Sequence, residues 1–159
     1  MESEMTARRA AVGDAAEIVR LRAVMTAALF GRSQEGPWDA VTLARLERWL
    51  GDPDAPTAVF VVDAPDGASL AATAIGTIDE RLPHARNPSG VTGYVYGVST
   101  DPRWRRRGFS RAAMRALLGW YADRGVHRID LHASPSGESL YRELGFTDAS
   151  GAALTLRAH

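Results

Sequence analysis

A strand, a helix and a second strand in direct succession constrain the fold of this sequence more than any other feature. The first strand pattern is β-branched and aromatic and stops at Asp101-Pro102. The helical pattern ends before Gly125, a residue suited to a helix C′ position. This succession predicts two parallel strands joined by a right-handed crossover. The three elements are Val91–Ser99, about Arg107–Arg124 and Arg128–Ala133.

The rest of the sequence supplies enough elements for one sheet with helices around it. After Asp14, a residue type that favours the N-cap, Ile18, Leu21, Met25 and Leu29 recur at helical spacing. The other predicted elements are an edge strand at Thr6–Ala10, helices at about Asp14–Phe30 and Asp39–Leu50, strands at Thr57–Asp63 and Ser69–Ile78, a short helix from Pro135 to Leu144, and strands at Phe146–Ala149 and Leu154–Arg157. The order βααβββαβαββ predicts an α+β (mixed α/β) fold, and 159 residues correspond to a single domain, 1–159.

Composition narrows the classes of function. Arginine supplies all 19 basic residues, which balance 19 acidic residues, so the net charge of zero gives no general attraction to nucleic acid or anionic membranes. The lack of lysine excludes Schiff-base chemistry, and the lack of cysteine excludes disulfides and a cysteine nucleophile. Four histidines without HxxxH or HExxH spacing do not indicate a metal. Without an export signal or a membrane-length apolar run, we expect a cytoplasmic protein with no membrane partner.

The turn before the long helix concentrates positive charge. Residues 103–115 hold six arginines and no acid, so this stretch carries +6 and the remainder −6. A helix N-terminus presents unpaired N–H groups that suit phosphate, and Gly108 would let the backbone approach an anion closely. The turn is either an anion-binding site or an arginine-rich helix start that faces solvent.

A second motif, Leu140–Phe146, lies about thirty residues after that turn. Alone it describes a helix end with a glycine cap, with Tyr141 on the core face. Taken with Arg105–Ser110, which fits the pattern Arg/Gln-x-x-Gly-x-Gly/Ala, and with Pro102 upstream, it makes the sequence resemble the GNAT superfamily of acetyl-CoA-dependent N-acetyltransferases. The resemblance covers essentially the whole chain. Ser110 departs from the family pattern, which has glycine or alanine there.

The resemblance implies a GNAT-like fold with a central mixed, largely antiparallel sheet, a parallel splayed strand pair and about four flanking helices. Acetyl-CoA would enter between the splayed strands, with its pantetheine along one strand and its pyrophosphate on the arginine-rich turn. Ser134 stands where many members have an asparagine that contacts acetyl-CoA, and its other possible role is to cap the short helix. The implied acetyl-CoA contacts are Val98, Ser99, Thr100, Arg105, Arg106, Arg107, Gly108, Phe109, Ser110, Ser134 and Tyr141.

The implied reaction is direct attack of a primary amine on the thioester in a ternary complex, the acceptor being a small molecule or a protein N-terminus. Val98 would polarise the thioester carbonyl through its backbone N–H. Tyr141 would be the general acid for the departing thiolate. Tyr94 occupies the position of the catalytic glutamate of histone-type members. Glu80 is therefore the best carboxylate base, unless it is only a solvated charge at a strand end.

The acceptor pocket is expected from the loop Arg32–Trp38, from the loop Arg81–Gly90 and from aromatic side chains on the strand. Trp38, Tyr94 and Tyr96 are the substrate-binding candidates.

Among the histidines, His84 is expected to be exposed in its loop, and His132 to be a structural residue within the last strand of the crossover.

Two other functions stay open at this point. A non-catalytic acyl-CoA-binding sensor on the same fold would keep the arginine-rich turn without turnover. A nucleic-acid-binding domain would use the six arginines, but a basic site confined to one turn of a neutral protein disfavours this. We therefore expect acetyl-CoA and an amine acceptor as ligands, no nucleic acid, no metal, and a monomer or homodimer.

Overall fold

The computed structural model describes residues 5–32 and 34–159 and gives them four α-helices and five strands. The helices are α1 (Ala15–Phe30), α2 (Trp38–Leu50), α3 (Phe109–Asp123) and α4 (Glu138–Glu143). The strands are β1 (Ala7–Arg9), β2 (Thr57–Asp63), β3 (Leu70–Glu80), β4 (Val91–Thr100) and β5 (Ile129–Leu131). Single turns of 3-10 helix precede α1 at Val12–Asp14 and α3 at Pro102–Trp104. Among the described helices, none is long and apolar enough to cross a membrane.

The strands form one mixed sheet in the order β1-β2-β3-β4-β5. The first four pair antiparallel, and β4 pairs parallel with β5 across α3. This confirms the predicted α+β class and the predicted parallel strand pair. Helices cover both faces of β2 and β3, which explains why their sequences are nearly continuous apolar runs rather than alternating patterns.

Each face of the sheet has its own apolar core. On one face α3 buries Leu117 and Tyr121 completely. On the other face α1 and α2 bury Ile18, Leu21 and Leu46 against the sheet. Burying one such side chain contributes about 1.5–3 kcal/mol. The sheet is thus held between two helical layers, and any site at its strand ends has α3 and α4 on one side and α1 and α2 on the other.

A Schellman motif at the end of α3 turns the chain back into the sheet. Gly125 has φ +68°, as predicted for a C′ residue. Its N–H donates to the Ala122 carbonyl and the Val126 N–H donates to the Tyr121 carbonyl, both at 3.0 Å. Val126 is buried, which anchors the chain just before β5.

β4 contains a β-bulge near its C-terminal end. Between the pairs Tyr96–Ile75 and Ser99–Thr73, two residues of β4 oppose one residue of β3. One of the two is Gly97, with φ +64°. A Cβ at Gly97 would lie 2.8 Å from Ile75 Cδ1, so a larger residue does not fit without a shift. A bulge bends and twists its strand, and this one lies where β4 and β5 stop pairing.

The predicted bounds are wrong around the last helix. β5 ends at Leu131, so His132 lies just beyond the strand. α4 begins at Glu138 with Gly137 as its N-cap. The Ser134 carbonyl accepts the Gly137 and Glu138 N–H groups in a preceding turn, so the predicted capping role of Ser134 is wrong.

Two strands predicted near the C-terminus are also absent from residues 144–159, all of which the structure describes. Leu154 and Leu156 alternate with polar residues as in a strand, but they are 90% and 92% exposed. A strand needs a pairing partner, which local propensity does not supply.

Asp14 is the N-cap residue of α1, as predicted, but its side chain makes no capping hydrogen bond to that helix. The Asp14 carboxylate instead accepts the Ala11 N–H and pairs with Arg8.

Candidate active site

A gap opens between β4 and β5 after three paired residues. Gly93, Tyr94 and Val95 pair with β5, and no residue beyond Val95 has a partner there. Residues 96–100 are all described by the structure, and on the side of β5 they have no pairing strand. The edge of β4 from Tyr96 to Thr100 therefore presents peptide groups to the gap. This is the splayed parallel pair expected from the sequence. It offers backbone donors and acceptors to an extended ligand with amide groups.

The arginine-rich turn lies at the C-terminal end of the same strand. Arg106 has φ +61° and Gly108 has φ +85°, so the backbone makes two left-handed steps before α3. Ala112 N–H makes the first helical hydrogen bond, to the Gly108 carbonyl. The N–H groups of residues 109–111 therefore lack intrahelical acceptors and are available to an anion. These donors fit the pyrophosphate of acetyl-CoA.

The arginines of this turn have different partners. Arg103 pairs with Asp101, and Arg111 pairs with Glu143 of α4. Arg107 stacks on Trp104, with its guanidinium carbon 5.3 Å from the ring centroid. Within the described ranges, Arg105 and Arg106 have exposed side chains and no carboxylate partner.

Asp101 anchors the turn to the rest of the protein. Its carboxylate is 3% exposed and accepts from the Arg103 backbone N–H at 2.9 Å and from Arg20 of α1 at 2.9 Å. The Asp101 N–H donates to the Ala71 carbonyl of β3. The hydrogen bond from Arg103 is the largest cause that holds the pKa of Asp101 far below its usual range.

Ser110 ties the start of α3 to the end of β4. Its hydroxyl hydrogen-bonds the Thr100 hydroxyl. The small side chain at this position therefore has a structural contact. Ser134 lies on the other side of the gap, where its hydroxyl is 3.2 Å from the Ser136 hydroxyl.

Tyr141 of α4 lies on the α3 side of the sheet. Val98 and Tyr141 both pack against the same apolar core, and the Tyr141 ring meets Phe146 edge-on at 6.0 Å. Burial raises the pKa of Tyr141, which keeps the phenol protonated. The sequence-predicted acid and the residue that carries the sequence-predicted backbone donor thus pack on the same side of the sheet.

Tyr94 and His132 meet across the parallel pair on the opposite face. Tyr94 is in register with Asp130, and His132 follows two residues later, on the same face. The Tyr94 hydroxyl is 2.6 Å from His132 Nδ1. The His132 side chain is exposed, so the expectation of a structural strand residue is wrong. Tyr94 also stacks on Tyr96, with ring centroids 6.5 Å apart.

A cavity of about 130 Å³ lies next to these aromatics, between α1, α2 and the sheet. Its lining includes Tyr96 together with Arg22 of α1 and Arg45 of α2. Burial raises the pKa of Tyr96, and the positive charges of the two arginines oppose that rise. A second cavity of about 70 Å³ adjoins it and is lined by Trp38. The indole N–H of Trp38 donates to the Gln34 carbonyl at 2.7 Å.

Glu80 and the loop Arg81–Gly90 lie away from this region. Glu80 is exposed and pairs with Val91 at the other end of β4, about 20 Å along the strand from Val98. The loop closes a hairpin through Arg81 N–H and the Gly90 carbonyl, and His84 in it is exposed as expected. Neither cavity described above includes a residue of this loop in its lining.

Sequence reasoning missed Arg22, Arg45 and the partnership of His132 with Tyr94. For Arg22 a signal was present, because it interrupts the apolar series Ile18, Leu21, Met25 on the inner face of α1. The partnership of His132 with Tyr94 was missed because the predicted strand runs to Ala133, two residues beyond the observed end of β5, and so includes His132. In the described ranges, no group of three or more His, Cys, Asp or Glu side chains could hold a metal ion.

Solved structures with this fold include several acetyltransferases. A predicted acetyltransferase from Clostridium acetobutylicum, solved with acetyl-CoA, is 23% identical over 96% of each chain, with a TM-score of 0.80. A GCN5-related N-acetyltransferase from Ralstonia eutropha is 24% identical over 96% of this chain and 98% of that chain, with a TM-score of 0.75. Glucosamine-6-phosphate N-acetyltransferase from Arabidopsis thaliana is 17% identical over 97% of this chain and 99% of that chain, with a TM-score of 0.75. At these identities the likeness establishes the fold.

Sequence comparison gives the family. A search of curated proteins gave no match. The model of the Acetyltransferase (GNAT) family matches residues 23–146, which include the splayed strands, the arginine-rich turn and Tyr141. With the sheet order and the gap between β4 and β5, this match assigns the chain to the GNAT family of acetyltransferases.

Proposed function

We propose that the protein transfers an acetyl group from acetyl-CoA to a primary amine, on a small molecule or at a protein N-terminus, by direct attack in a ternary complex. The observation that carries the proposal is the gap between β4 and β5, which ends at a turn rich in free N–H groups. Family membership supports acyl transfer.

Acetyl-CoA, when bound, supplies the acetyl group as a thioester. The unpaired edge at Val98, Ser99 and Thr100 would hold its amide-containing arm through backbone hydrogen bonds. The residues Arg105–Ser110 would hold its pyrophosphate, chiefly through backbone N–H groups, with Gly108 allowing the close approach. Ser134, across the gap, is a further proposed contact.

Two groups on the α3 side would assist the transfer. The Val98 backbone N–H would polarise the thioester carbonyl. The Tyr141 hydroxyl would donate a proton to the departing thiolate sulfur. The proton is available at neutral pH, and the raised pKa that burial gives Tyr141 makes it a weaker acid than an exposed tyrosine.

His132 is a better base candidate than Glu80. An attacking amine must lose a proton, and Glu80 lies at the far end of β4. If His132 Nδ1–H donates to the Tyr94 oxygen, His132 Nε2 is left as the proton acceptor. Tyr94 would then act by orienting the imidazole, and Tyr96 and Trp38 would line the acceptor side.

The test combines binding with turnover. Acetyl-CoA at 100 times its Kd should stabilise the fold by about 2.7 kcal/mol, read as a rise in melting temperature. An amine panel with thiol detection should then identify substrates. A melting temperature unmoved by millimolar acetyl-CoA would contradict the proposal. Binding without thiol release from any amine would favour a non-catalytic acyl-CoA sensor.

A further inference from the structure

An arginine lies on the inner face of α1. Ile18 and Leu21 on this face are fully buried, and Arg22 follows one turn after Ile18. A Cβ built at Gly97 would lie 3.2 Å from Arg22 Nη1. The Arg22 guanidinium therefore reaches the bulge of β4, one residue from Val98. Arg45 of α2 lines the same cavity from the opposite helix.

These two arginines, like Arg105 and Arg106, have no carboxylate partner among the described residues. Arg20, two residues before Arg22, pairs with Glu17 and Asp101. Two like charges on one cavity repel each other, and Arg22, which is half-buried, also loses part of its hydration. An anion in the cavity would offset both costs.

The rest of the cavity wall is apolar. Leu46, Trp49 and Ile75 contribute to it. A cavity of about 150 Å³ can hold a benzene molecule, so about 130 Å³ suits a small ring or a branched chain. The cavity therefore combines a place for an anionic group with a place for a compact apolar body.

We propose that the acceptor amine also carries a carboxylate or phosphate, which Arg22 and Arg45 bind. Guanidinium groups bind both anions with paired, charge-assisted hydrogen bonds. Because Tyr96 and Arg22 border both the cavity and the β4 bulge, the bound anion leaves the amine end near Val98. This assignment deepens the proposed function and rests on it for the identity of the site.

The test measures binding of amine pairs that differ only in the anionic group. Protein saturated with CoA, so that the arginine-rich turn is occupied, is titrated by calorimetry with phenylalanine and phenethylamine, and with phosphoethanolamine and ethanolamine. The anionic member of at least one pair should bind about tenfold more tightly or better. The pair that shows the preference distinguishes a carboxylate acceptor from a phosphate acceptor.

Three variants test whether Arg22 and Arg45 cause the tighter binding of the anionic amine. Arg22→Met and Arg45→Met should each reduce it to about threefold or less, since each removes one guanidinium. Arg48→Met, on an exposed arginine of α2 outside the cavity lining, should leave it unchanged. Arg45 is exposed, so its replacement tests the proposal even if Arg22→Met fails to fold. Equal affinities within both pairs, or a preference that survives in Arg45→Met, would overturn the proposal.

Thiol release separates this proposal from the proposed function. Equal release from anionic and neutral amines would overturn the anion site and leave acetyl transfer standing. Preferential binding of the anionic amine, lost in Arg45→Met but without thiol release from acetyl-CoA, would support the anion site and contradict the transferase.

Discussion

Two tyrosines of the core on the α3 side differ in burial, since Tyr121 is fully buried and Tyr141 is half-buried. The Tyr121 hydroxyl lies 3.0 Å from the Thr77 carbonyl oxygen and 3.1 Å from the Tyr94 carbonyl oxygen, and its single proton can be donated to either. Burial is the one cause that raises the pKa of Tyr141. Tyr141→Phe should therefore lower kcat by about 10²-fold or less, because water can partly replace a general acid. Its acetyl-CoA Kd should change less than its kcat, and its unfolding free energy should change by about 1 kcal/mol or less.

Tyr121→Phe is the matched control, because it makes the same chemical change in the same core. It should destabilise the protein by about 1–2 kcal/mol and leave kcat nearly unchanged. The measurements are kcat, acetyl-CoA Kd and a denaturant melt for both variants. An unchanged kcat in Tyr141→Phe would make Tyr141 a packing residue.

His132 offers a second test at the scale of one residue. His132→Gln keeps a polar side chain but removes the proposed proton acceptor, so kcat/KM for the amine should fall by about 10²-fold or more at neutral pH. The loss should shrink at high pH, where the amine is neutral without help. His127→Gln, at an exposed histidine before β5, should have no effect. A pH-independent loss would instead indicate a role in positioning.

At the scale of elements, the turn before α3 depends on backbone conformation. Gly108 has φ +85°. A Cβ built at Gly108 would lie 3.6 Å from its nearest neighbour, the Met5 Cε atom, so a side chain has room there. Gly108→Glu should therefore fold with a penalty of about 1–2 kcal/mol for the left-handed conformation. It should also weaken acetyl-CoA binding by more than about 100-fold, because its carboxylate would repel the pyrophosphate that this turn is proposed to hold.

Gly125→Glu gives the same substitution at the other end of α3. Gly125 has φ +68° and nothing within 4 Å of a built Cβ. The free-energy cost of the left-handed backbone conformation in Gly125→Glu should equal that in Gly108→Glu. The acetyl-CoA Kd of Gly125→Glu, measured by calorimetry, should equal that of the parent protein. If Gly108→Glu folds and binds CoA as tightly as the parent, the pyrophosphate lies elsewhere.

Elements with strong local patterns were predictable, and those that depend on partners were not. α1, α2, β2 and the parallel β4–β5 pair follow from periodicity and turn residues. The bulge at Gly97 was missed because a lone glycine in a strand does not specify pairing across the sheet. The C-terminal strands were predicted from propensity alone. Arg45, on a polar face of α2, gave no sign in sequence of its shared cavity with Arg22.

At the scale of the whole molecule, acidic residues paired with arginine determine how the unfolding free energy depends on pH. The carboxylates of Asp14, Glu17, Asp63 and Asp101 have pKa values held below their usual range, in each case mainly by a hydrogen bond from an arginine. The folded protein therefore binds fewer protons than the unfolded chain. Its unfolding free energy should fall as the pH drops below about 4.

Asp101→Asn should make that pH dependence shallower and cost about 2–3 kcal/mol at neutral pH, because Asp101 is nearly buried and accepts from two arginines. Asp63→Asn, at an exposed partner of Arg8, should cost less than about 1 kcal/mol. Denaturant melts between pH 3 and 7 measure both. Equal costs for the two variants would contradict the assigned role of Asp101 as the anchor of the turn.

The short pairing of β4 with β5 also has a consequence for amide hydrogen exchange. Three residue pairs hold β5 to the sheet, and Arg111–Glu143 joins α4 to α3. We therefore expect this wall of the gap to open more readily than β2 and β3, whose amides should exchange slowest. A ligand lying between the two walls would bridge them. Deuterium uptake in β5 and α4 should consequently slow on adding CoA, while uptake in β2 stays the same.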